Sequence, residues 1–171
     1  MTHETGSVAA RLSGRRLATV MYFPLGYEGD DGTCDIEDWD YEIGHVPTVG
    51  LALRTTDGAE FFIGWEQAEW EFGVALWEGP PLLIPSALDA AVTVEDHPHW
   101  RPLIGVPFDV EVGPRLRGHS EPHAFIRLRT AEQVVTITAA ELSYENATPR
   151  VTLGMDAVMV FFGPDAPFDR A

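Results

Sequence analysis

The chain has 171 residues and a mass of 18.9 kDa, enough for one ordinary domain. Its 27 acidic residues outnumber 11 basic ones, giving a formal net charge of −16, and all eleven basic residues are arginine. Without lysine the chain cannot build a Walker-A loop or form a Schiff base, and its charge argues against nucleic-acid phosphates and anionic membrane surfaces.

In chain order, the first ten residues carry no apolar stretch of signal-peptide type and read as a frayed terminus, so a cytoplasmic protein is expected. Ala18 to Phe23 reads as a strand, and Val49, Leu51 and Leu53 alternate with Gly50, Ala52 and Arg54 as a half-buried strand does. Asp57-Gly58 predicts a hairpin into Glu60–Trp65, and Phe72, Val74 and Leu76 continue the meander. Residues 80–100 contain four prolines and read as a connector with one short helix at 85–91. Strands are then expected at 109–112, 126–130, 134–138 and 157–162, with a helical turn at Thr138–Leu142 and a frayed end.

Leu12–Leu17 with the strand after it can be laid over Leu103–Phe108 and its strand at an offset of 91 residues. Leu51–Thr55 overlays Ile126–Thr130 at an offset of 75, so the first half carries 16 extra residues. The expected fold is therefore mainly β: antiparallel sheets from two degenerate repeats, as a sandwich or half-open barrel, with a short connector helix. The repeats would span 11–79, with an acidic insertion at 28–42, and 101–165, joined by 80–100 in one compact domain.

Residues 28–96 hold 17 carboxylates and a single cation, Arg54, while the rest of the chain is balanced. Glu28 to Glu42 alone has eight carboxylates and three large hydrophobic residues, Ile36, Trp39 and Tyr41. Charge runs are usually solvated faces, but aromatic residues inside one suit a docking surface for a basic protein. The contacts would be Asp38, Trp39, Asp40 and Tyr41, with Asp30, Asp31, Glu37 and Glu42 steering association.

Cys34 is the only cysteine, which excludes an internal disulfide and a cysteine zinc site. A calcium loop starting at Asp31 would have Glu42 at its twelfth position but Ile36 where the turn needs glycine. His97-Pro98-His99 and His119, Glu121 and His123 offer ligands for a first-row metal. No acid follows the first histidine pair as a cupin requires, and exposed loop histidines are the commoner explanation. Gly118–Pro122 lacks the second glycine of a nucleophile elbow, and Glu66, Glu69 and Glu71 beside Trp65 and Trp70 suit edge-strand charges as well as a glycosidase pair.

Leu12–Leu17, Asp38-Trp39-Asp40, Trp65, Val74–Gly79, Trp100–Gly105 and Val158–Phe162 together resemble a family of small acidic duplicated-β proteins of high-GC Gram-positive bacteria, over about residues 11 to 165. The resemblance implies the twofold β pattern and no particular chemistry. By analogy of composition alone, such chains are similar to immunity proteins and antitoxins. Three functions are thus expected in order: a non-enzymatic acidic protein docking a basic partner, a small-molecule- or metal-binding β-barrel, and a DNA mimic. No cofactor, nucleic-acid partner or membrane contact is expected.

Overall fold

The computed structural model describes residues 4–83, 85–116 and 121–164. A first helix, α1 (Thr5–Leu12), precedes strands β1 (Leu17–Phe23), β2 (Gly26–Glu28), β3 (Cys34–Ile36), β4 (Asp40–Tyr41) and β5 (Gly44–Thr48). Then come β6 (Gly50–Thr55), β7 (Glu60–Ala68), β8 (Glu71–Glu78), a short helix α2 (Pro85–Asp89) and β9 (Val92–Thr93). A 3₁₀ turn at Arg101–Leu103 leads to β10 (Asp109–Val112), β11 (Phe125–Arg129), β12 (Val134–Glu145) and β13 (Thr148–Phe162).

One sheet has the order β8-β7-β6-β1-β9, and the second has β10-β11-β12-β13-β5-β4. All pairings are antiparallel, and β2 with β3 forms a separate two-stranded ribbon. The two large sheets share one core, in which Leu51, Ile63 and Leu76 of the first meet Ile126, Ile137 and Val160 of the second. The sheets do not close into a barrel. Among the described residues no helix is long and apolar enough to cross a membrane.

The alternation in β6 survives in the structure: Leu51 and Leu53 are fully buried while Arg54 is exposed. Two expectations fail. Residues 5–12 are helical rather than frayed, because Val8, Ala9 and Leu12 on one face bury into the core. Thr138–Leu142 continues β12 instead of turning, since Ala139 pairs with Val158 and Ala140 with Leu153 across a bulge. Pairing with a neighbouring strand overrides the weak helical preference of two alanines.

The acidic insertion changes sheets. After the β2–β3 ribbon, β4 pairs only with β5, and β5 pairs with β13 in the second sheet. The chain then enters β6 and returns to the first sheet through Gly50, whose φ of 154° suits glycine. This detour places residue 45 at the junction between the sheets. On the opposite side, β9 pairs with β1 at Tyr22 and Met21, and the Val94 N–H donates to the Val20 carbonyl. The connector is thereby delivered to the same junction.

Candidate metal centre

Three histidines meet at that junction: His45 from β5, with His97 and His99 from the turn after β9. One ligand atom of each lies within 4.8 Å of the others. His45 is fully buried, His97 half-buried and His99 exposed, so the cluster runs from the core to the surface. Asp40 joins it because Asp40 and His45 are cross-strand partners of β4 and β5. Its carboxylate is 3.3 Å from His45 Nε2 and 3.2 Å from His97 Nε2.

Local sequence explains the placement. The His97 N–H donates to the Val94 carbonyl, and the Trp100 and Arg101 N–H groups donate to His97 O. These tight turns bring His97 and His99 to one side while Trp100 becomes a fully buried core residue. Its indole Nε1–H donates to the Tyr22 hydroxyl at 2.6 Å, and that hydroxyl is 2.8 Å from His45 Nδ1. Trp39 closes the group from the insertion side, edge-on to His45 at 5.1 Å and to His97 at 5.8 Å.

Burial dominates the electrostatics. Loss of water holds the His45 imidazole down to about 4, and neighbouring His97 and His99 push the same way against Asp40. The Asp40 contact therefore meets a neutral ring, not an imidazolium. The Tyr22 hydroxyl is pushed well above its ordinary range, chiefly by burial. His45 Nε2 is buried and makes no hydrogen bond, a condition it shares with Glu95 Oε2, His123 Nε2 and the Glu121 carboxylate but, among the described residues, combines alone with two neighbouring imidazoles.

The two Nδ1 atoms differ. An indole N–H only donates, so Tyr22 O accepts from Trp100 and its own proton can point at His45 Nδ1. The same oxygen has a second lone pair for an Nδ1–H, which leaves Nε2 of His45 bare for a metal. His97 Nδ1 accepts from the His99 backbone N–H at 3.2 Å, so its proton sits on Nε2 toward Asp40. Ligation through that nitrogen opens the His99 contact at a cost of about 1 kcal/mol, small beside the order of 10 kcal/mol a structural zinc site supplies.

A tetrahedral ion with donors at about 2.0–2.1 Å spaces them roughly 3.3 Å apart. Each Asp40 oxygen has that spacing to one ring, Oδ1 to His45 and Oδ2 to His97, so a single oxygen must turn to serve both. The imidazoles must draw in, and His99, exposed but packed on Phe162 at 4.7 Å, must shift to do so. Neutral nitrogens with one carboxylate and no thiolate suit zinc and its first-row neighbours rather than calcium or magnesium.

The remaining expected site residues separate. Glu121 and His123 pair with each other beside β8: His123 Nε2 is 2.9 Å from Glu121, and its Nδ1–H donates to Gly113 O at 2.8 Å. They join no three-ligand group among the described residues, and His119 lies outside those residues. In the insertion, Asp30, Asp31, Asp38 and Glu42 are exposed. The Glu37 carboxylate accepts from the Thr48 hydroxyl, and Tyr41 is half-buried near Tyr144. His45 is the member of the cluster that sequence reasoning missed. It stands alone among Gly44, Val46 and Pro47, and its only signal was a histidine inside an apolar run.

Comparison with protein-family models, with curated proteins and with solved structures finds no match for this chain.

Proposed function

We propose that this protein binds a first-row transition metal ion, of which zinc is the type, through His45, His97 and His99, with Asp40 as the fourth ligand. The observation that carries the reading is the buried, hydrogen-bond-free Nε2 of His45, aimed at two more imidazoles and a carboxylate. The exposed side of the cluster, at His99 and Asp40, leaves the ion in reach of solvent. Four protein ligands fill a tetrahedral shell, so water or a small anion enters only as a fifth ligand or by displacing Asp40.

The test is metal content and affinity for protein made without a chelator or histidine tag. One zinc or cobalt ion per chain is expected, and cobalt should show the visible absorption of a tetrahedral centre. His99→Ala should weaken binding without loss of fold, because that ring is exposed. Substoichiometric metal, with no rise in thermal midpoint on adding zinc, would remove the proposal.

A second reading keeps the acidic insertion as a docking surface for a basic protein. It is favoured by the β2–β3 ribbon, which exposes Tyr27 at 59% and Ile36 at 37% among its carboxylates. Trp39 turns inward against Tyr22, so the apolar contacts of such a surface are Tyr27 and Ile36. Replacing Tyr27 and Ile36 by Ser should release a basic partner recovered at low salt. Recovery unchanged by both substitutions would end this reading.

A further inference from the structure

The outer face of the first sheet carries a cavity of about 300 Å³, the lower end of the range for small-molecule sites. Its floor is Met21, Phe23 and Ala52, and Pro80, Pro81 and Leu88 of the connector cover it. Thr19 and two charged side chains line it, and the charged pair, Arg54 and Glu60, are cross-strand partners of β6 and β7 and therefore on one face.

Arg54 is unusual twice over. It is the single cation of the acidic 28–96 segment. It is also the one arginine among the described residues with no hydrogen-bond or ion-pair partner. Among the described residues the Glu60 side chain likewise has no hydrogen-bond or ion-pair partner, Arg54 included. An apolar hollow bordered by one free guanidinium and one free carboxylate presents both halves of a zwitterion's complement. A net-negative ligand would be opposed by the surrounding charge, whereas a zwitterion is neutral as a whole.

We propose that this cavity binds a free α-amino acid with a large apolar side chain, its carboxylate on Arg54, its ammonium on Glu60 and its side chain under Leu88. The site is independent of the metal centre and stands or falls without it.

Calorimetry or ligand-observed NMR with L-phenylalanine tests the assignment. N-acetyl-L-phenylalanine lacks the ammonium and L-phenylalaninamide lacks the carboxylate, and each should bind roughly tenfold or more weakly. Arg54→Gln should erase the preference over the amide alone, and Glu60→Gln the preference over the acetylated compound alone. Both residues are exposed, so both variants should keep the wild-type thermal midpoint. Equal binding of all three compounds, or no binding of L-phenylalanine at about millimolar concentration, would overturn the proposal.

Discussion

The two buried histidines, His45 and His123, show how one hydrogen bond decides what an imidazole can do. His45 Nδ1 faces a hydroxyl, which can donate or accept, so its outward nitrogen is free to take a proton or a metal. His123 Nδ1 faces the Gly113 carbonyl, which only accepts, so that nitrogen must carry the proton. Its Nε2 then points a lone pair at the Glu121 carboxylate 2.9 Å away. Neither Nε2 makes a hydrogen bond and each faces a carboxylate, but among the described residues the first is open to two more imidazoles and the second is closed off from any.

The largest expected effect is on acid stability of the metal-free protein. His45 is held down to about 4 in the fold against an ordinary 6.5, so the unfolded chain takes up its proton first as pH falls. Its contribution is complete above pH 6.5, declines between 6.5 and 4, and is gone below. The shift is worth roughly 3 kcal/mol. Urea unfolding across that window should show the loss in the wild type and not in His45→Asn. Parallel pH profiles for the two would mean that His45 is not buried as a neutral ring.

Tyr22→Phe comes next. It strands the Trp100 indole N–H and His45 Nδ1 in the core, at a cost of about 2 kcal/mol in urea unfolding. His99→Ala follows, with a loss in zinc affinity of at least about tenfold, near 1.4 kcal/mol, while His123→Ala leaves zinc affinity unchanged. Equal losses in the two variants would break the distinction between open and closed histidines.

Much of the fold was legible because period-two alternation acts locally. Leu51 and Leu53 against Arg54, and the Asp57-Gly58 turn, announce a hairpin whatever lies elsewhere. Half of the candidate site was legible for the same reason, since His97 and His99 are neighbours in sequence. His45 and Asp40 were not, because their meeting depends on β5 crossing to β13 in the other sheet. That pairing spans more than a hundred residues and leaves no local periodicity. Trp39 misled in a related way: an aromatic in an acidic run suits an exposed anchor, yet it packs against Tyr22 and His45.

The smallest expected effect is the most specific to the closed histidine. In Glu121→Gln the new amide can donate to His123 Nε2. The contact is kept and a carboxylate charge removed, and the stability change should be about 1 kcal/mol or less. The sharper readout is Glu66, whose carboxyl is raised by burial first and by Glu121 second. Removing the Glu121 charge takes away only the second cause, so NMR titration should show Glu66 falling part of the way toward its ordinary value. A Glu66 titration that does not move would mean that burial alone holds it up, and that Glu121 is engaged wholly by His123 and Arg115.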